Sequence, residues 1–154
     1  MKLQIASHLA IYALLELAAQ PERQLSVAEI GQKYDISSHH LAKVMNVLGR
    51  AKMVRAVRGA GGGYQFAGNA RRITLLEVIQ LFEDLGDVRS EPGGSRDSTA
   101  EGRALRQILG EIDDITRATL GSITIVTMLK LVDRKRAKGP ARLQPSRSVD
   151  AESV

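Results

Sequence analysis

The 154-residue chain has no cysteine, no tryptophan and three histidines. Without thiols there is no disulfide, no thiolate-held metal centre and no cysteine redox chemistry. His8, His39 and His40 are the whole stock of imidazole ligands. Aromatic residues make up 3% of the chain against 44% hydrophobic residues in all. The core is therefore aliphatic, and an Ala- and Leu-rich composition favours helices. Nor is there an apolar run long enough to cross a bilayer. The start, MKLQIASHLAIYALLELAAQ, pairs a lysine with an apolar stretch, but Gln4, His8 and Glu16 interrupt it. A cytoplasmic protein without membrane attachment is expected. No nucleophile–base–acid set, metal-ligand set or nucleotide motif is present, so no enzyme is expected.

What is present is positive charge. The net charge of +5 suits polyanionic partners, because displacing counterions from phosphates drives association. Ordinary solubility would account for it equally well. The length suits one domain with an appended element.

The most informative stretch runs from Ser26 to Ala67. Ser26 and Glu29 form an S-x-x-E capping box that starts a short helix, with Val27, Ile30 and Tyr34 facing inward. Asp35 and Ile36 make a turn, and Ser37 or Ser38 caps the next helix. In that helix Leu41, Val44, Met45 and Leu48 fall at i, i+3, i+4 and i+7, one apolar stripe. His39, Lys43, Asn46 and Arg50 lie opposite. A helix with a packed face and a polar, cationic outer face suits a major groove; a solvated helix face is the plainer alternative. Two features favour the groove. One is the short preceding helix and tight turn. The other is a hairpin of MVRAVR and YQFA around Gly59-Ala60-Gly61-Gly62-Gly63, whose glycines permit a tight tip. A bare tip at Gly61 and Gly62 can approach DNA phosphates, and Arg58 can enter a narrow minor groove. A nucleotide loop would need Gly-Lys-Ser/Thr opening a helix, and here a strand follows.

On either side, LAIYALLELAA is a first helix apolar all round, so buried on most sides, and Pro21 stops it. TLLEVIQLFEDL reads as a helix capped by Thr74 and Glu77. Arg71 and Arg72 before it read as solvated rather than as phosphate contacts. Residues 86 to 97, rich in Gly and charge, read as a mobile loop, ended by a third capping box from Ser98 to Glu101. A long helix follows. Leu105, Ile108, Ile112, Ile115 and Thr119 are spaced 3, 4, 3, 4 with Leu109 alongside, a heptad seam. The seam either packs on its own domain or pairs with a second copy; the second is favoured, because a small winged domain offers little core for so long a helix. Gly121 fits a C-cap. Ser122 to Val132 resumes as helix or strand. From Asp133 the chain is polar and reads as a disordered tail. Its Arg134, Lys135, Arg136, Lys138 and Arg142 read as solvated.

These residues resemble the Rrf2 family of bacterial transcription regulators, from Met1 to about Val132. VRGAGGGYQFA followed by ITLLEVI carries the likeness most specifically. The start MKLQ, the apolar first helix and TLGSI are similar too. The resemblance implies a homodimer with a winged helix-turn-helix and a long crossing helix. It implies that Ser38, His39, His40 and Lys43 address bases or phosphates and that Arg58 is the wing arginine. SSHHLAKVMNVLGRA is nearest the nitric-oxide-sensing branch. The iron–sulfur-assembly branch usually has Glu where Ala42 stands, so its DNA specificity does not carry over. Many members hold an iron–sulfur cluster through three cysteines in the region of Gly86 to Arg103. Here that region has Ser90, Ser95 and Ser98 instead, and neutral hydroxyls are poor iron ligands beside thiolates. His8 lies near a non-cysteine ligand of some members, but one imidazole cannot hold a cluster. No cofactor is therefore expected. A naturally cluster-free branch and an engineered replacement both fit.

The expected architecture is mainly α with a small β-hairpin wing: a winged helix-turn-helix plus a long dimerisation helix. Residues 1–85 would form the DNA-binding domain and 86–98 a sensing-region loop. Residues 99–132 would hold the dimerisation helix, and 133–154 a disordered basic tail. The expected function is a homodimeric transcriptional regulator, a repressor on a pseudo-palindromic site in double-stranded DNA. The DNA contacts would be Ser37, Ser38, His39, His40, Lys43, Asn46, Arg50, Arg58, Gly61 and Gly62. The dimer contacts would be Leu105, Ile108, Leu109, Ile112 and Ile115. A small-molecule effector would sit between the first and long helices. The alternative is an architectural or protein-interaction module without sequence preference.

Overall fold

The computed structural model describes residues 1–86 and 88–139. Six helices and one antiparallel hairpin follow in the order α1 (Ile5–Ala19), α2 (Val27–Tyr34), α3 (Ser38–Arg50), β1 (Val54–Val57), β2 (Gly63–Phe66), α4 (Leu75–Gln80), α5 (Ala100–Ser122) and α6 (Ile125–Ala137). A 3₁₀ turn, Ser95–Ser98, precedes α5.

The near-absence of polar residues from α1 decides its place. Leu14, Leu17, Ala10 and Ala13 are fully buried, and α1 packs against α3, α4, α6 and β2. It is the central post of the core, as a helix without a polar face must be. The other walls are the buried stripe of α3, Val78 and Ile79 of α4, and Ile125 at the start of α6. Leu120 near the end of α5 joins the same core. The chain returns to it through backbone pairing: Leu75 N–H donates to the Ile123 carbonyl (2.9 Å) and Ile125 N–H to the Ile73 carbonyl (3.0 Å).

Four local expectations are corrected. α4 ends at Gln80 rather than continuing to Leu85. Leu81 and Phe82 close tight i→i−3 bonds, and Glu83 leaves the helix direction to bind the start of α1. The Ser98–Glu101 box does not form. Ser98 turns its hydroxyl to the Ser95 carbonyl (2.6 Å), and Thr99 caps α5 by accepting from Gly102 N–H (3.0 Å). Gly121 is no C-cap: α5 continues to Ser122, and Gly121 lies against Leu76. The tail does not lose order at Asp133. α6 is capped by Thr124, which accepts from Thr127 N–H. Arg134, Lys135 and Arg136 occupy its last turn, where cations complement the helix dipole. Residues 140–154, including Arg142, lie outside the described residues.

Candidate nucleic-acid interface

The geometry of the reader begins at its caps. Ser26 Oγ accepts from Glu29 N–H (3.1 Å) while Ser26 N–H donates to the Glu29 carboxylate (2.7 Å), so the expected box starts α2. α2 ends on Asp35, which adopts a left-handed backbone with φ 54°. Asp35 and Ile36 N–H both return to the Gly31 carbonyl. A β-carbon at Gly31 would lie 2.6 Å from the Ile36 carbonyl oxygen, so the sharp turn requires glycine there. Ser37, not Ser38, then caps α3 by accepting from His40 N–H (3.2 Å). That hydroxyl is committed to the cap, and Ser38 is the first helical residue.

In α3 the apolar stripe is closed: Leu41, Met45 and Leu48 are 0% exposed and Val44 is 4% exposed. This fixes the helix rotation. Ser38, His39, His40, Lys43, Asn46 and Arg50 are all exposed. His39, Lys43, Asn46 and Arg50 stand opposite the stripe. His40 sits on the flank facing α1, where it lines an apolar crevice of about 290 Å³ with Ile5, Ala6, Leu9, Lys43 and Val44. The tilted rings of His39 and His40 are 6.4 Å apart.

The wing follows in fixed register: Val54 opposite Phe66, Arg55 opposite Gln65, Ala56 opposite Tyr64 and Val57 opposite Gly63. Leu25 makes an isolated antiparallel bridge to the hairpin by exchanging backbone bonds with Tyr64 (2.9 and 2.8 Å). At the tip, Gly59 and Gly61 have φ of 114° and 76°. Gly62 N–H is used internally, donating to the Gly59 carbonyl (2.9 Å), so it shapes the tip rather than facing a phosphate. Gly61 and Arg58 are exposed. Arg55 is instead tied down by Gln65 Oε1, which accepts from its guanidinium at 2.6 and 3.1 Å.

Two positioning devices lie outside the expected set. Glu83 accepts from Gln4 N–H (3.1 Å) and from the fully buried Ser7 hydroxyl (2.5 Å), holding the first turn of α1 against α4. Its partners are 76 and 79 residues away, so no local pattern marks it. On the other side, Glu16 of α1 accepts from both Lys33 Nζ and Tyr34 OH at the end of α2. Tyr34 also stacks on Tyr12, with ring centroids 4.8 Å apart and planes 4° from parallel. Partial burial works to raise the Glu16 pKa. The hydrogen bonds from Lys33 and Tyr34, with the charges of Lys33 and Arg136, outweigh it and hold the carboxyl below its ordinary value. Burial, and then the Glu16 carboxylate, push the Tyr34 phenol upward. In the sequence Tyr34 is legible as an inward residue and Glu16 only as an interruption of an apolar run.

The loop before α5 is tethered rather than loose. Arg117 donates to the Gly86 carbonyl, Val88 N–H to Asp113 (3.1 Å), and Arg89 to Asp114 (3.0 Å). Arg106 binds the Asp97 carboxylate and the carbonyls of Arg89 and Glu91. Beyond it the heptad seam faces solvent, with Leu105 60%, Ile108 51%, Ile112 52% and Ile115 66% exposed, and Leu109 less so. The open cavity against α1 is bounded by α2 and α6, not by the long helix α5.

Residues 3–131 match the Rrf2 family, described as iron-dependent transcriptional regulators. The chain belongs to the Rrf2 family. It is a DNA-binding transcriptional regulator with a winged-helix fold. The HTH-type transcriptional regulator BadM of Rhodopseudomonas palustris is 49% identical over 138 residues, covering 90% of this chain and 87% of that protein. Among solved structures, T. potens IscR superposes with a TM-score of 0.71 at 25% identity, covering 88% of this chain and 91% of that one. CymR, the global cysteine regulator of B. subtilis, superposes with a TM-score of 0.72 at 25% identity, covering 85% and 98%.

The family description raises the question of an iron centre, and the donor set here does not fit a thiolate-held one. The chain has no cysteine. In the loop, Asp97 is already bound by Arg106, and Ser90, Ser95 and Ser98 offer only neutral hydroxyls. Among the described residues no three His, Asp or Glu side chains converge as a metal site.

Proposed function

We propose that the chain acts in the cytoplasm as a homodimeric repressor on a pseudo-palindromic operator. His39, Lys43, Asn46 and Arg50 would address the major groove, with Ser38 and His40 at its edge, while Arg58 reaches the neighbouring minor groove. One observation carries this reading. The four outward side chains of α3 form no hydrogen bond or ion pair with other described residues, while the opposite stripe is sealed in the core. Such a face is built to be satisfied by something outside the chain, and its cationic and amide groups match base edges and phosphates. The dimer is supported by the exposed seam of α5, since pairing about a two-fold axis would cover the same residues twice. A small effector would act through the cavity beside α1.

Selection from a random DNA pool tests the reading. An inverted repeat should emerge with half-sites about 34 Å apart, one helical turn. Arg58→Ala should weaken binding to the selected site. A pool without enrichment would sink the operator reading in favour of an architectural module.

A further inference from the structure

Directly behind the helix-turn-helix, α1, the end of α2 and α6 enclose a cavity of about 430 Å³, a volume typical of small-molecule sites. Leu15, Met128, Leu129 and Val132 supply an apolar body, and Tyr12 and Tyr34 line one wall. Two opposite charges share this lining, Glu16 and Arg136. Glu16 Oε1 receives both Lys33 and Tyr34; its Oε2 accepts no hydrogen bond among the described residues. The Arg136 guanidinium likewise makes no hydrogen bond or ion pair among them. Asp133 adds a second carboxylate at the exposed rim.

We propose that this cavity binds an α-amino acid with an apolar side chain. Its ammonium would meet Glu16, its carboxylate Arg136, and its side chain the apolar body between them. The proposal deepens, and rests on, the effector reading above. The pattern of charge selects the class. A simple carboxylic acid would bring its anion beside Glu16 and Asp133, and a simple amine would leave Arg136 facing an apolar group. A neutral hydrocarbon would strip water from both charges without replacing its hydrogen bonds. A zwitterion satisfies each group with the opposite sign.

The site is placed to be read. Tyr34 is the last residue of α2, and the left-handed Asp35 that turns the chain into α3 follows it. An ammonium on Glu16 competes for the carboxylate that holds Lys33 and Tyr34. Occupancy therefore bears on the seating of α2 and hence on α3. Coupling between two sites of this kind changes affinity about five-fold or more.

The test uses the full chain and calorimetric titration with L-leucine, L-methionine and L-phenylalanine, first without DNA. At least one should bind saturably. For leucine the controls are isocaproate, which lacks the amine, and isoamylamine, which lacks the carboxylate; both should bind at least about ten-fold more weakly. Arg136→Gln, on the exposed last turn of α6, should lose binding by a similar factor with its melting temperature intact; Glu16→Gln should lose binding as well. No saturable binding of any of the three, equal binding of the truncated analogues, or wild-type binding by Arg136→Gln would overturn the proposal. Operator affinity measured with and without the amino acid tests the coupling, and an unchanged value would overturn that part. Failure of the wild-type chain to bind any operator would count against the regulator reading alone, because the titration involves no DNA.

Discussion

Replacing Ile112 by glutamate puts a carboxylate in the middle of the exposed stripe on α5. Fully burying an isoleucine or leucine is worth about 1.5–3 kcal/mol. Because Leu105, Ile108, Ile112 and Ile115 are each at least half exposed in the single chain, pairing would gain about 1 kcal/mol from each. Two-fold symmetry counts each residue twice, for a gross gain of roughly 8 kcal/mol. That is comparable with the cost of association, so the dimer depends on the whole stripe. Ile112→Glu removes about 2 kcal/mol of this gain over both copies. It also buries two carboxylates near each other, at several kcal/mol. A loss of at least about 4 kcal/mol raises the dimer dissociation constant about a thousand-fold. Sedimentation equilibrium should show a wild-type dimer and a monomeric Ile112→Glu variant at the same micromolar concentration, with Ile112→Leu dimeric. Helix content and melting of the reader should be retained, because Ile112 contributes little to its core. A variant that stays dimeric, or a wild-type chain that is monomeric, would refute the assignment of the seam.

On the DNA face, Lys43→Ala should reduce the slope of log affinity against log salt by about 0.9, the value for one lost phosphate contact; an unchanged slope would remove Lys43 from the phosphate contacts. Glu83→Ala leaves the fully buried Ser7 hydroxyl and the Gln4 N–H without their acceptor, which should cost about 1–3 kcal/mol. A melt should show this as a drop of about 2–4 °C per kcal/mol for a chain of this size, and an unaltered melt would show that Glu83 does not hold α1. For Glu16, the folded chain keeps the carboxyl below its ordinary value of 4.5, so ionisation favours folding. Its contribution is present above about pH 4.5 and fades as pH falls through the lower folded pKa. Glu16→Gln should therefore lower stability at neutral pH and flatten its acid-side decline; parallel pH profiles in urea would contradict this.

The reader was legible because its signals are local. The S-x-x-E box, the i, i+3, i+4, i+7 spacing of Leu41, Val44, Met45 and Leu48, and the glycine tip each reflect backbone constraints within a few residues. The same spacing that sealed the stripe also set which side chains of α3 face outward. Where the partner is remote, local pattern fails. Glu83 reads as one more charge at a helix end until α1 is brought beside it, and α4 therefore seemed longer than it is. Ser98 and Glu101 satisfy a capping pattern, but Thr99 lies one residue closer to the helix and takes the cap. The basic residues after Asp133 read as a solvated tail because composition weighs them singly, whereas α6 seats three of them in its last turn, where their charge is favourable. Gly31 is the instructive omission. A glycine four residues before the left-handed Asp35 is a signal for a sharp turn, and it was available in the sequence.

The tethering of the loop bears on how a chain of this family can respond without a thiolate centre. Arg106 gathers one carboxylate and two backbone carbonyls, and Arg117, Asp113 and Asp114 fix three further points along the same loop. A loop held by a metal is ordered only when the metal is bound. A loop held by the chain's own charges is ordered on folding, and its order is sensitive to ionic strength, because exposed pairs such as Arg89–Asp114 are weakened by salt. Between that loop and α4, Glu83 holds the first turn of α1, and that turn borders His40 and Lys43 on α3. The effector site proposed above lies at the opposite end of α1, where Glu16, Lys33 and Tyr34 join it to the turn before α3. A change there would reach the recognition helix through the Asp35 turn.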